Sequence, residues 1–204
     1  MRLRNAFIVA AAASAAIALP ASATIVVSAT TPLNIRSGPG PQYAVTGFIP
    51  DRGQATIIGC IQGSLWCQVS YGGRQGWAYS QYMTATLSGR SLAVAAIRDI
   101  PPVTYQAPVA TVGSAVPAPV VTDTLIAPPP SPPMVIAPPP QVGSYVTSHP
   151  VNEAYLNGEV VVGAGLPQDV VLSAVPGYDY DYAYVNSQPV LVEPTTRQVV
   201  YVYR

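Results

Sequence analysis

The chain has 204 residues, among them 23 prolines and 16 glycines, and only 9% of its residues are charged. This composition predicts small domains joined by irregular segments rather than one large core. Basic and acidic residues number nine each, for a formal net charge of zero, which leaves no overall positive charge to attract nucleic acid or an acidic membrane.

Residues 1–23 have the pattern of a secretory signal peptide. Arg2 and Arg4 give a positive start, residues 7–19 form an apolar run, and small residues follow, so cleavage is predicted after Ala23. The apolar run of 13 residues is shorter than the roughly 20 that a membrane-spanning helix needs. The mature protein is therefore expected in the periplasm or outside the cell, in an oxidising compartment and without a transmembrane anchor.

Residues 24–87 alternate short β-forming runs with turn residues, which is the pattern of a small all-β fold. The predicted strands are 24–30, Leu33–Arg36, Val45–Ile49, Gln54–Cys60, Trp66–Tyr71 and 75–79. Successive side chains of a strand point to opposite faces. Leu33 and Ile35 are therefore expected on one face, with Asn34 and Arg36 on the other.

The only two cysteines of the chain, Cys60 and Cys67, lie in two adjacent predicted strands. In an oxidising compartment they predict a disulfide across a hairpin, and closing this loop contributes about 2.5 kcal/mol in the chain-entropy model. An antiparallel register with the cysteines opposite each other places Ile58 opposite Val69. The same alternation places Trp66 on the face opposite to Val69.

Three motifs in this stretch resemble the bacterial Src-homology-3-like domain family. They are Leu33-Asn34-Ile35-Arg36-Ser37-Gly38-Pro39-Gly40, Trp66-Cys67-Gln68-Val69 and Gly72-Gly73-Arg74-Gln75-Gly76-Trp77-Ala78. The resemblance implies a five- or six-stranded barrel over residues 24–87. It also implies a non-catalytic domain that binds peptidoglycan peptides or glycans.

A ligand groove on such a barrel is expected to carry exposed aromatic side chains with polar partners, since aromatic faces suit sugar rings and a guanidinium holds a carboxylate. The candidate groove residues are Asn34, Arg36, Tyr43, Trp66, Trp77, Tyr79 and Tyr82. The alternative is structural: Trp77 would cap the barrel and Arg36 would be a solvated strand residue.

Residues 88–150 change composition sharply and predict a Pro/Ala-rich disordered linker. A short helix is predicted over residues 91–100, ended by Pro101 and Pro102. The proline tracts beyond it are typical of an extended spacer, with a ligand for an SH3-type or WW-type domain as the alternative. His149, the only histidine, has no second histidine or cysteine beside it and is expected to be an exposed loop residue rather than a metal ligand.

Residues 151–204 predict a small C-terminal β-meander, with one strand over residues 168–175. Tyrosines at every second position from Tyr178 to Tyr184 share one face of an extended chain. This face is expected to be half-buried, the alternative being a metal or sugar site with Asp179 and Asp181 as ligands. The segment resembles a small C-terminal domain of unknown function in exported bacterial proteins, which implies no activity.

Together these patterns predict an all-β, exported cell-envelope protein without cofactor or metal. The expected partner is peptidoglycan or an envelope protein, and the alternative function is a structural or adhesive protein–protein interaction module without cell-wall binding. An enzyme is not expected, because no nucleophile with a base and no paired carboxylates occur in the predicted barrel.

Overall fold

The computed structural model of the chain describes residues 25–87, 89–106, 123–125 and 137–204. The predicted signal peptide and most of the proline tracts of the predicted linker lie outside the described residues. Within the described part of the chain, no helix has the length and apolar character needed to cross a membrane.

The first eight strands form one antiparallel sheet, called the barrel below, whose inner face encloses a common core. They are β1 (Ile25–Ala29), β2 (Leu33–Arg36), β3 (Val45–Ile49), β4 (Gln54–Cys60), β5 (Trp66–Tyr71), β6 (Arg74–Tyr79), β7 (Met83–Leu87) and β8 (Arg90–Ala93). Their spatial order is β3-β2-β6-β5-β4-β1-β7-β8. Val27, Leu33, Ile49, Val69 and Met83 are buried together in this core. The all-β prediction is confirmed.

The disulfide between Cys60 and Cys67 is present, and the two residues face each other across β4 and β5 as predicted. The predicted pairing of Ile58 with Val69 is wrong, because a β-bulge lies between Ile57 and Gly59 and pairs Ile57 with Val69 instead. A bulge adds one residue to one strand, so the register beyond it shifts by one position relative to the partner strand. Ile57 is therefore the buried residue, and Ile58 is half-buried.

The start of the predicted linker is folded onto the barrel. The predicted helix over residues 91–100 is wrong, since this stretch forms β8 and a 3-10 turn at Val94–Ala96. Strand β8 pairs with β7 through residues from Thr84 to Ala93. This ladder supplies the backbone hydrogen bonds that a helix would have formed within itself.

Residues 137–204, called the C-terminal unit below, form a short helix on a small sheet. The elements from the linker onward are β9 (Asp123–Thr124), α1 (Pro140–Ser148), β10 (Glu153–Ala154), β11 (Leu156–Asn157), β12 (Ser173–Ala174), β13 (Asp181–Val185), β14 (Gln188–Glu193) and β15 (Gln198–Val202). Strands β13, β14 and β15 form the predicted antiparallel meander. The strand predicted over residues 168–175 is reduced to β12. Asn186 and Ser187 join β13 to β14 with positive φ at both positions, as a tight hairpin turn requires.

Helix α1 covers the tyrosine face of the meander, so the end of the predicted linker is also ordered. Tyr182 Oη donates to the carbonyl of His149 at 2.8 Å, and Tyr184 Oη donates to that of Val146 at 3.1 Å. Val142 and Val146 of the helix are buried against this face. The expected half-buried face is found at Tyr180 and Tyr184, whereas Tyr182 is fully buried and Tyr178 is exposed. His149 is exposed at the end of the helix.

The barrel and the C-terminal unit share one hydrophobic core. Buried residues of the barrel and buried residues of the C-terminal unit, such as Val160, Leu166 and Val199, belong to the same cluster. The C-terminal unit lies against the outer face of β2, which carries Asn34 and Arg36. All four residues of β2 are consequently buried, with the core on one side of the strand and the C-terminal unit on the other.

Candidate functional site

The predicted groove residues are not exposed aromatic and polar side chains. Six of the seven are buried, with relative exposures between 0% and 6%: Asn34, Arg36, Trp66, Trp77, Tyr79 and Tyr82. Tyr43 is half-buried. The prediction of an exposed groove at these six residues is wrong, because the C-terminal unit and the chain after β8 cover the barrel faces on which they lie.

Arg36 forms a buried ion pair with Glu159 of the C-terminal unit, and both side chains are fully buried. Its Nε donates to Glu159 Oε2 at 2.5 Å and its Nη2 donates to Glu159 Oε1 at 2.8 Å. The remaining hydrogen bonds go to the carbonyls of Pro41, Tyr43 and Asn186. A guanidinium has five N–H donors, and these contacts supply five acceptors. Arg36 therefore has no donor left for an external ligand.

Asn34 extends this network toward the last residues of the chain. Its Nδ2 donates to Glu159 Oε1 at 2.9 Å and to Gln188 Oε1 at 2.7 Å. Its Oδ1 accepts from Arg204 Nε at 3.1 Å, and Arg204 Nη2 donates to the carbonyl of Pro32 at 2.9 Å. The amide thus joins the buried ion pair to a second guanidinium nearer the surface. Partial burial lowers the pKa of Arg204, and the nearby Glu159 carboxylate opposes that effect.

The predicted aromatic residues pack in two places. Trp66, Tyr79 and Tyr82 form one cluster, with ring centroids 5.3 Å apart for the first pair and 6.0 Å for the second. Burial raises the pKa of Tyr82, and Tyr79 and Glu159 raise it further. These hydroxyls consequently stay neutral, and the cluster is part of the structural interior.

Tyr43 and Trp77 lie elsewhere, on either side of Tyr105 from the chain after β8. Both ring pairs have centroids 5.5 Å apart and are nearly perpendicular, with interplanar angles of 79° for Tyr43 and 83° for Trp77. Burial raises the pKa of Tyr105, and a hydrogen bond with Tyr43 adds to the effect. Two predicted groove residues are thus covered by a side chain of the same polypeptide.

An open groove of about 830 Å³ lies between the barrel and the C-terminal unit. Its lining residues are Asn34, Gln42, Ala44, Val45, Gly47, Phe48, Ser187, Gln188, Tyr203 and Arg204. Phe48 is 49% exposed although it is a large apolar residue. Arg204 is the only charged residue of the lining, and the charge of Arg36 behind it is balanced by Glu159. The groove thus combines amide groups, two aromatic residues and one positively charged side chain.

Of the residues that line this groove, sequence reasoning predicted Asn34 and missed Phe48, Gln188 and Arg204. It also missed Glu159, which binds Asn34 and Arg36 behind the groove. For Glu159 a signal exists, since an acid directly before the apolar run Val160-Val161-Val162 indicates a buried carboxylate that needs a partner. For Phe48, Gln188 and Arg204 the neighbouring sequence gives no such indication, because the groove forms between β3 and residues more than 100 positions later in the chain.

The alternative prediction for the tyrosine face was a cation site with Asp179 and Asp181 as ligands. Within the described residues, no group of three or more His, Cys, Asp or Glu side chains is placed to hold a metal ion. Tyr182 and Tyr184 instead use their hydroxyls on helix α1.

The curled antiparallel sheet with its Cys60–Cys67 hairpin defines a small SH3-like domain joined to a C-terminal sheet. Two family models match these two parts. Residues 31–84 match the bacterial SH3 domain family, and residues 145–204 match a domain of unknown function, DUF1236. The chain therefore contains a bacterial SH3 domain and a DUF1236 domain.

One curated relative is similar to part of the chain. The Bacillus subtilis (strain 168) protein named "Putative N-acetylmuramoyl-L-alanine amidase YrvJ" is 39% identical over 64 residues, which is 31% of this chain and 12% of that protein. The chain thus spans only a small fraction of the relative's length, and the similarity lies in the SH3 part. No solved structure matches the chain.

Proposed function

We propose that this protein is a non-catalytic cell-envelope protein that binds peptidoglycan through the groove between the barrel and the C-terminal unit. The observation that carries this proposal is the groove of about 830 Å³, a volume suited to a ligand of several residues or sugars. The bacterial SH3 domain and the cell-wall-related name of the partial relative support an envelope location.

The lining of the groove fits the chemistry of that polymer. Gln42 presents an exposed amide group that matches the amides of peptides and N-acetylated sugars. The buried amides of Asn34 and Gln188 bond to each other, and Asn34 Oδ1 accepts from Arg204 Nε and so orients that side chain. Phe48 offers an apolar face for a sugar ring or an alkyl side chain. Arg204 supplies a charge-assisted hydrogen bond for a peptide carboxylate.

A non-catalytic role is supported by the chemistry around the groove. Its lining contains no carboxylate, cysteine or histidine side chain, and its one serine, Ser187, has no basic partner among the lining side chains that could activate its hydroxyl. Covalent or acid–base catalysis needs a nucleophile within hydrogen-bond reach of such a base. Binding alone is therefore the activity that these side chains serve best.

The experiment is sedimentation of the full-length protein with purified sacculi. Gly47→Trp should abolish binding, because a Cβ at Gly47 meets no atom within 4 Å and a large side chain can fill the groove without displacing the fold. Arg204→Gln should weaken binding about tenfold or more, the loss of one charge-assisted hydrogen bond. Ser91→Trp, a matched bulky change at an exposed position of β8, should bind like wild type.

The second candidate function is a protein–protein interaction module. It is favoured by one observation: among the described strands β3 lies at the edge of the barrel sheet and carries the exposed Phe48. An edge strand offers unpaired backbone groups to an incoming strand. Retention of an envelope protein by wild type but not by Gly47→Trp, together with no sedimentation with sacculi, would favour this function over the first.

A further inference from the structure

The chain after β8 crosses the barrel as an extended strap, defined here as residues 97–105. The amide of Cys60 donates to the carbonyl of Pro101 at 3.0 Å, and the amide of Val103 donates to the carbonyl of Cys60 at 3.0 Å. Strand β1 pairs with β4 as far as Ile57. The strap pairs with the same edge of β4 beyond that point, at Cys60. Its backbone binds in the way that a peptide adds to a sheet edge.

The side chains of the strap alternate as in a bound strand. Val103 and Tyr105 are half-buried toward the barrel, whereas Pro102 and Thr104 are exposed. The Tyr105 ring enters between Tyr43 and Trp77, with both centroid distances at 5.5 Å. Val103 and Tyr105, two residues apart, therefore contact the barrel, as alternate side chains of an extended peptide do when it binds at a sheet edge.

The surface beneath the strap is shaped to accept it. A Cβ at Gly59 would lie 2.4 Å from Val103 Cγ1 and 2.6 Å from the Pro101 carbonyl oxygen. Glycine in the bulge of β4 thus permits a close approach that any other residue would block. Gly59, the backbone of Cys60 and the pair Tyr43 and Trp77 form a continuous accepting strip on the barrel.

The strap lies on the surface of the barrel, since none of residues 97–105 is fully buried. A pocket of about 280 Å³ that is open to solvent lies between the strap and the disulfide hairpin, bordered by residues such as Leu65, Ile97 and Ile100. Its half-buried side chains, Ile97, Ile100, Val103 and Tyr105, pack against the barrel core from outside. Because they lie on the surface of the sheet, the strap can be exchanged without loss of the sheet beneath it.

We propose that the accepting strip is a peptide-binding site for an extended, proline-containing segment with an apolar residue two positions before a tyrosine. The strap fills this site in cis. When the strap dissociates from the barrel, a peptide of the same pattern from another polypeptide binds at this site. This site is separate from the groove at Arg204, and neither proposal depends on the other.

The test uses the full-length, disulfide-bonded protein and a synthetic peptide with the sequence of residues 99–106. The double variant Val103→Asn/Tyr105→Ala empties the site and should bind the peptide, measured by titration calorimetry. Wild type should bind it at least about tenfold more weakly, since the tethered strap competes at a high effective concentration. A peptide with alanine in place of its tyrosine should bind neither protein.

Two further variants keep the outcome decisive. Tyr105→Ala alone retains the strap backbone bonds, and it carries the test if the double variant fails to fold. Adding Gly59→Ala to the emptied site should abolish peptide binding, because the new methyl group occupies the place of Val103. Folded Tyr105→Ala and double variants that both fail to bind the peptide would overturn the proposal, as would equal binding of the alanine-containing peptide.

Discussion

Replacing Glu159 by glutamine should destabilise the whole described fold, because it leaves the buried Arg36 guanidinium without a counter-charge. Glutamine keeps the size of the side chain but turns one acceptor into an NH₂ group. That group faces an Arg36 donor, either Nε or Nη2, in a site with no exposure to water. Removing one partner of a buried ion pair costs about 3 to 5 kcal/mol.

The loss should appear as a lower melting temperature in a single cooperative transition. For a chain of this size each kcal/mol corresponds to about 2 to 4 °C, which gives a decrease of about 6 to 20 °C. One transition is expected for wild type as well, because the barrel and the C-terminal unit share one core cluster. Circular dichroism at several wavelengths and calorimetry measure both quantities.

Glu153→Gln is the matched control, since Glu153 is exposed and its carboxylate accepts a hydrogen bond from the Tyr155 hydroxyl. Exposed substitutions of this kind usually change stability by less than about 0.5 kcal/mol. A loss below about 1 kcal/mol in Glu159→Gln, or separate transitions of the barrel and the C-terminal unit in wild type, would refute the role given to the ion pair.

Three further predictions concern single features of the fold. Replacing Cys60 and Cys67 by serine should lower the free energy of unfolding by about 2.5 kcal/mol, and reduced wild type should match the variant in denaturant titrations. Tyr203→Phe should raise stability by about 1 kcal/mol, since its buried hydroxyl has no hydrogen-bond partner in the described residues; Tyr201→Phe is the control. The same burial raises the pKa of Tyr203 to about 12, so the advantage of Tyr203→Phe should grow as the pH rises above 10, where the unfolded wild type gains by ionising. Hydrogen bonds from the following threonines lower the pKa of Glu193 from 4.5 to about 2. Its contribution is present above pH 4.5 and lost as the pH falls toward 2, so Glu193→Gln should be less stable than wild type near neutral pH and equal to it near pH 2. A constant difference across that pH range would contradict the assignment.

The sequence predicted the elements whose signals are local. The alternation of side chains in β2 correctly placed Leu33 and Asn34 on opposite faces of the strand. The expected export to an oxidising compartment correctly predicted the disulfide between Cys60 and Cys67. The register failed at the bulge beside Gly59, because an extra residue in one strand leaves no trace in the hydrophobic alternation. The glycine is explained only by the strap that packs on it.

The candidate site could not be predicted because it depends on contacts between distant parts of the chain. A polar residue on the outer face of a predicted strand is expected to meet water, and Asn34 would do so in an isolated barrel. Its actual neighbours are Glu159, Gln188 and Arg204, each more than 120 residues away. Composition also concealed the order at both ends of the predicted linker, since proline content does not distinguish a free segment from one held by a sheet edge.

The position of Arg36 decides which guanidinium is available to an external carboxylate. A ligand that took Arg36 would exchange one carboxylate for another and leave Glu159 buried without its partner, a penalty of several kcal/mol that the new pair would first have to offset. Arg204 carries no such penalty, because within the described residues its hydrogen bonds go to the neutral Asn34 amide and the Pro32 carbonyl and not to a carboxylate. The C-terminal unit therefore closes one basic site on the SH3 domain and supplies another at its edge, so recognition by this protein should require both domains rather than the barrel alone.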